Sequence, residues 1–153
     1  MAVEIIEFKS ELRQHFRLLN EEWLNEYYFV TESDIEILSN PEKIIEDGGF
    51  IFFAIEDSIV LGTCALLKHD HSSFELIKMG VKKNSQNKGV GSLLMRACVE
   101  TAIKNKAEKL SLETAIPLKA AIHLYRKFGF IQTSEEYTHP VFKRTTFTME
   151  LIL

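Results

Sequence analysis

Phe74-Glu75-Leu76-Ile77-Lys78-Met79-Gly80-Val81 runs through Lys82-Lys83-Asn84-Ser85 into Gln86-Asn87-Lys88-Gly89-Val90-Gly91-Ser92, and the fold is decided by this stretch. Phe74–Val81 reads as a strand and Lys82–Lys88 as a polar loop. From Gly89 to about Lys106 the pattern is helical, with Val90, Leu93, Leu94, Ala97 and Thr101 on one face. The first N–H groups of a helix have no internal partners, and its dipole places about +0.5 charge there. Such an end suits a phosphate. Gly89 and Gly91 let a ligand touch the backbone, and Lys82, Lys83 and Lys88 add positive charge, so the loop suggests a pyrophosphate site. It is not a Walker A loop, because no Gly-Lys-Ser/Thr follows the required spacing. Nor does it carry the third glycine of the dinucleotide fingerprint. A Gly-x-Gly at a helix start is weak by itself, since the same glycines also let a helix pack closely on a sheet.

Upstream, Val3–Phe8 alternates and reads as a short strand. A helix follows, with Leu12, Phe16, Leu19, Trp23 and Leu24 at helical spacing and Ser10 as its expected N-cap. Short helices are expected over 33–38 and from Pro41, the second stopped by Gly48-Gly49. Phe50–Glu56 and Ile59–Lys68 form a hairpin around Asp57-Ser58, and Phe74–Val81 continues the meander. Downstream come a strand at Lys109–Thr114, a helix at Pro117–Phe128 capped by Gly129, and strands at Phe130–Thr133 and Phe142–Leu153. Antiparallel strands first, then a β-loop-helix-β unit, make an α/β (α+β) chain. Its central sheet is mixed, mostly antiparallel, of about seven strands, with helices on both faces. No repeat, linker or low-complexity tract interrupts it, and residues 1–153 read as a single domain.

With 153 residues, 46% apolar and 26% charged, the chain can bury a real core and is not a disordered one. Its apolar stretches are too short to cross a bilayer, and Glu4 and Glu7 spoil any signal-peptide reading, so neither a membrane nor export is expected and the cytoplasm is the default. The net charge of −4 argues against nucleic acid as a partner. Charge is unevenly spread. Residues 1–57 carry fourteen acids and four bases, and no Lys or Arg falls between Glu21 and Glu42, whereas Lys78 to Arg96 holds five bases and no acid. Two solvated faces would explain this, and so would an anion site in the second half with a negative field in the first. Cys64 and Cys98 make neither a disulfide framework nor a metal site. His69 and His71 offer two ligands without an apparent third, so no metal is expected.

Gln86-x-x-Gly89-x-Gly91, followed by Leu124-Tyr125-Arg126-Lys127-Phe128-Gly129-Phe130, resembles the GCN5-related N-acetyltransferase (GNAT) superfamily. The first segment looks like its motif A and the second like its motif B, each in the right structural setting, and the likeness spans nearly the whole chain. Glu75–Met79 and Leu112-Glu113-Thr114 look like a bacterial branch of unknown substrate.

The resemblance implies a GNAT-like acyl-CoA N-acyltransferase fold and acetyl-CoA as co-substrate. The strand matching Phe74–Val81 would bulge and splay from the strand matching Lys109–Thr114, with acetyl-CoA in the gap. The pantetheine arm would lie along Met79, Gly80 and Val81. The pyrophosphate would sit on the amides of Gln86, Asn87, Lys88, Gly89, Val90, Gly91 and Ser92. Thr114, Ala121 and Tyr125 would complete the cofactor site. An amide near Gly80 or Val81 would polarise the thioester carbonyl. Leu118 and Ala115 stand where many relatives have asparagine, so a polar contact to the cofactor is missing or replaced.

An alkyl amine with a pKa near 10.4 is almost wholly protonated at neutral pH, so attack needs a base, while the departing thiolate needs an acid. Tyr125, matching the motif B tyrosine, is the acid candidate; Glu75 is the leading base, with Glu113 as its rival. The implied reaction is direct transfer of the acetyl group to a primary amine in a ternary complex. The acceptor would lie against the first helices, where Glu22, Trp23, Tyr27 and Tyr28 suggest a cationic small molecule or peptide amine. An acidic helix face with buried aromatics is the plainer reading of the same residues. The last strand either helps close the acceptor cleft or offers an edge for a homodimer. A non-catalytic acyl-CoA-binding module on the same scaffold is the competing function.

Overall fold

The computed structural model of the protein describes residues 2–27, 31–86, 88–141 and 144–153. In chain order its elements are β1 (Glu4–Glu7), α1 (Arg13–Tyr27), α2 (Glu32–Ser39), α3 (Pro41–Glu46), β2 (Phe50–Glu56), β3 (Ile59–Lys68) and β4 (Ser73–Val81). There follow α4 (Val90–Lys104), β5 (Lys109–Ala115), α5 (Lys119–Lys127), β6 (Ile131–Gln132), β7 (Tyr137–Thr138) and β8 (Thr145–Ile152). The eight strands form one sheet in the order β1-β2-β3-β4-β5-β8-β6, with β7 also on β8. All pairs are antiparallel except β4–β5. The mixed, mostly antiparallel sheet is the one the sequence implies.

Local chemistry explains most elements. The β2–β3 hairpin closes through Asp57 and Ser58, both left-handed at φ 50° and 67°, as a two-residue turn matched to strand twist requires. Thr31 caps α2 in a reciprocal box with Asp34. Gly129, at φ 100°, ends α5: its N–H reaches Arg126 O at 3.0 Å while Phe130 N–H reaches Tyr125 O at 3.0 Å. One cap differs from expectation. Ser10 opens a 3₁₀ turn over Ser10–Leu12 rather than capping α1, and Lys9 precedes that turn without any side-chain cap. The final segment also differs. A short strand, Tyr137–Thr138, lies between the two expected, and β8 begins only at Thr145.

The middle strands are buried on both faces, so they are apolar in continuous runs rather than in alternation. Phe52, Cys64, Leu66 and Leu76 join Leu94, Met95 and Cys98 of α4 on one side. Ile51, Phe53 and Ala65 join Phe16, Leu19 and Leu24 of α1 with Leu38 and Ile44 on the other. Cys64 and Cys98 are neighbours in the first core, with free thiols 3.1 Å apart. Glycine permits two close approaches. A Cβ on Gly80 would stand 2.9 Å from Leu19 O, and one on Gly62 would stand 2.9 Å from Val90 Cγ1, so both helices lie tight on the sheet. Among the described residues no helix is long and apolar enough to cross a membrane.

Phe53 is wholly buried between β2 and α1. Phe53→Ala should lower unfolding free energy by about 3–5 kcal/mol in a urea titration, because neighbours on a stiff sheet cannot collapse into the vacated space.

Candidate functional site

Strands β4 and β5 run side by side for only three positions, Ser73 with Lys109, Phe74 with Leu110 and Glu75 with Ser111. Beyond Glu75 they part. The cause is visible on β4's other edge. Ala65 pairs with Ile77 and Thr63 with Gly80, so Lys78 and Met79 together face Cys64 alone. This is a β-bulge, and Lys78 holds it in the left-handed region at φ 53°. Past the bulge β4 has β3 on one side and no strand on the other, which leaves backbone donors and acceptors facing a gap.

That gap is a cleft of about 930 Å³. Of the residues expected around a cofactor, Met79, Gly80, Val81, Gln86, Gly89, Val90, Gly91, Ser92, Thr114, Ala121 and Tyr125 all line it. Gly89 precedes the first turn of α4 at φ 76°, and a Cβ built there would meet nothing within 4 Å, so the helix opens onto free space. Thr114 Oγ1 is buried at the wall without a hydrogen-bond partner among the described residues. Lys88 departs from expectation. It lines a separate shallow depression with Glu56, Asp57 and Ile59, on the far side of the left-handed turn at Gly89. Asn87 and Tyr28 lie outside the described residues, as do Phe142 and the side chain of Tyr27.

Tyr125 reaches the cleft from α5 and is otherwise buried, its ring 6.0 Å from that of Phe130. The glycine cap after α5 delivers Phe130 to that position. Burial, reinforced by the thiols of Cys64 and Cys98, pushes the phenol far above its ordinary value, so it keeps its proton. On the opposite face Glu75 lines the cleft and pairs with His69 Nε2 at 2.6 Å. Glu113 lines it too; it accepts a short hydrogen bond from the Tyr137 hydroxyl and lies 3.4 Å from His139 Nε2. Burial first, then Glu113, raises the Tyr137 phenol.

The acidic segment of α1 and α2 behaves differently from the expected acceptor surface. Trp23 does line the cleft, held by its Nε1–H on Asn20 Oδ1 at 2.9 Å. Glu22 does not line it: its carboxylate accepts the Lys83 backbone N–H at 3.1 Å. Glu26 pairs with Lys83 at 3.5 Å and Glu21 with Arg17 at 3.0 Å. Asp34 is fully buried. Lys78 Nζ donates to its Oδ1 at 2.7 Å, and Arg144 donates a short bond to its Oδ2. Burial alone would raise Asp34, but Lys78 and Thr31 outweigh it and leave the carboxyl below its ordinary value. Burial lowers Lys78, with Asp34 opposing.

Sequence reasoning missed Lys78, Arg144 and His139 as parts of this cleft, and Tyr137 as the partner of Glu113. The one available signal was an arginine just ahead of a strand that is apolar and threonine-rich apart from Glu150.

The sequence profile described as the Acetyltransferase (GNAT) family matches residues 12–130. The chain is 30% identical over 116 residues to the uncharacterized N-acetyltransferase YvbK of Bacillus subtilis (strain 168), covering 73% of this chain and 72% of that one. It is 30% identical over 101 residues to the N-acetylaspartate synthetase of Danio rerio, covering 64% of this chain and 36% of that one. Among solved structures, a GNAT-family acetyltransferase of Staphylococcus aureus Mu50 superposes with a TM-score of 0.86 at 20% identity, over 97% of this chain and 98% of that one. The putative acetyltransferase yncA of Salmonella typhimurium, solved with its cofactor acetyl-CoA, superposes at 0.81 with 16% identity, over 99% and 94%. These likenesses show the GNAT fold.

The Asp34 cluster generates a pH prediction. A carboxyl lowered in the folded state contributes stability above its unfolded pKa, and that stability is lost as pH falls through the folded value. The protein should therefore lose stability as pH drops below about 4, where ordinary aspartates titrate. Asp34→Asn should cost about 3 kcal/mol or more at neutral pH, since it removes the buried carboxylate that both Lys78 and Arg144 bond, and should flatten that acid limb. Urea titrations across pH check both.

Proposed function

Because the chain belongs to the GNAT acetyltransferase family, we propose that it is an acetyl-CoA-dependent N-acetyltransferase moving the acetyl group directly to a primary amine in a ternary complex. The observation that carries this reading is the parting of β4 and β5 beside the open N-terminus of α4. Together they offer an extended edge for an amide-bearing arm and a dipole end for a diphosphate.

In this reading acetyl-CoA lies with its diphosphate at Gly89–Ser92 and its thioester at the bulge. Gln86 and the amides of Met79, Gly80 and Val81 flank the arm. The Thr114 hydroxyl, buried without a partner among the described residues, takes a hydrogen bond from it. The acceptor amine enters from the α1–α2 face. Glu75, held by His69, removes the ammonium proton, and the free amine attacks the thioester carbon. A backbone N–H near Gly80 or Val81 stabilises the oxyanion. The C–S bond then breaks, and Tyr125 gives its proton to the departing sulfur. Burial keeps the phenol protonated, so a proton is present where the sulfur departs; the phenol is a weaker acid than a thiol of pKa near 8.5, so the transfer is completed by reprotonation of the tyrosinate, with the proton that Glu75 took from the ammonium passing on to solvent. Direct transfer needs no protein nucleophile, and the buried thiols of Cys64 and Cys98 are not placed to serve as one.

Thiol release from acetyl-CoA with a panel of amines tests the reading. Bound acetyl-CoA with no release in the presence of any amine would favour a binding module instead. Tyr125→Phe should lower kcat by about 10²-fold or more while acetyl-CoA affinity, by calorimetry, changes little. Gly89→Ala should raise the KM for acetyl-CoA by about tenfold, since a left-handed non-glycine residue costs about 1–2 kcal/mol at the diphosphate-binding turn.

A further inference from the structure

Glu75 lines the cleft with its side chain only 18% exposed, so two reactants bound there displace the water beside it. A carboxylate that has taken the ammonium proton must lose it before the next turnover, by a route that does not cross those reactants. Such a route lies behind it. In the β3–β4 hairpin Leu67 stands opposite Glu75, and His69, two residues further on, shares that face. The His69 backbone N–H bonds Ser73 O at 3.1 Å, and the Asp70 carboxylate takes the Ser72 N–H and the hydroxyls of Ser72 and Ser73, so the turn is tied. His69 Nε2 lies 2.6 Å from Glu75 Oε1, yet its side chain is 47% exposed and stands outside the cleft lining. Glu113 is placed differently. It accepts the Tyr137 hydroxyl, and the imidazole beside it, His139 at 3.4 Å, lines the cleft itself and is only 16% exposed. One carboxylate thus has its imidazole among the reactants, the other in solvent.

Resting on the acetyl-transfer reading, we propose that His69 is a proton relay that acts through Glu75 and carries the acceptor's proton from the cleft to solvent. The acceptor N–H bond breaks as the Glu75 O–H bond forms. The carboxyl proton passes from Oε1 to Nε2 of the neutral ring, whose Nδ1 proton leaves to water. Exchange with water then returns the ring to its starting tautomer. Carboxylate and neutral imidazole are restored, and one proton has left for each amine acetylated. As a class, imidazoles are stronger bases than carboxylates, about 6.5 against about 4.3, so the handover runs downhill. Two groups from elsewhere feel the charge of Glu75, namely Lys78 and Tyr137. The Lys78 side chain is only 8% exposed, and the Tyr137 hydroxyl donates to Glu113, so neither leads outward.

His69→Gln tests the relay: it keeps an N–H donor for Glu75, cannot take up a proton, and sits at an exposed turn where the fold tolerates it. Thiol release is measured at saturating acetyl-CoA with the fastest acceptor among phenethylamine, cadaverine, L-lysine and spermidine. In His69→Gln the kcat/KM for the amine should fall about tenfold or more while acetyl-CoA affinity is unchanged. Added imidazole, which the exposed site admits, should restore most of that loss and leave the native protein unaffected. On a Glu75→Gln background the same substitution should add little, because a relay has nothing to carry once its base is gone. An undiminished rate in His69→Gln, a loss that imidazole does not restore, or a further tenfold loss on the Glu75→Gln background overturns the relay and leaves acetyl transfer intact. Undiminished turnover by Glu75→Gln moves the base elsewhere and removes the relay with it. Absence of thiol release by the native protein with every amine strikes acetyl transfer itself, and the relay falls too.

Discussion

The parallel contact between β4 and β5 ends after Glu75 and Ser111, and the bulge at Lys78 is the constraint that ends it. One extra residue on β4 increases local twist and turns the strand away from its parallel neighbour. The edge so freed is polar along its length, yet it lies inside the molecule, flanked by α1 on one face and by α4 and α5 on the other. Backbone donors and acceptors along such an edge are open to a molecule that fills the cleft. The close approach of α1 at Gly80 prevents the sheet from sealing the gap.

Each wall is fixed by a local device of its own. The cap at Gly129 sets Phe130 against Tyr125 and holds the phenol at the cleft. Asn20, fully buried, bonds Phe16 O at 2.8 Å and receives the Trp23 indole N–H, fixing an aromatic edge in the cleft. Asp34 ties α2 to β4 and to β8 at once. Rigid supports of this kind separate a cleft that orients two reactants from a mere groove.

The sequence made the central elements readable because their signals are local. Apolar runs of strand length flank Asp57-Ser58, and a glycine pair follows a polar loop at the head of an amphipathic helix. Motif B carried Tyr125, and the structure brings that residue to the same cleft as the glycine loop. What escaped reading was non-local. Lys78 pairs with a residue 44 positions away and Arg144 with one 110 positions away, and no periodicity encodes such distances. The bulge was legible only through the family resemblance, because a lysine holds the left-handed turn where glycine or asparagine would have announced it. The two-residue strand at Tyr137 is too short for any alternation to register, so its hydrogen bond to Glu113 had no sequence signature. The acidic run of α1 misled because composition records the sign of a charge and not its partner.

The Asp34 cluster joins residues that leave the ribosome far apart in time. When β4 emerges, Asp34 and Lys78 are both present, but the arginine that joins their charge network comes only at the head of β8. A nascent chain ending after β4 therefore holds a half-made ionic knot in what will become the interior, and water must remain there to solvate it. Closing that wall of the cleft needs β8 to pair with β5, a contact between segments distant in sequence.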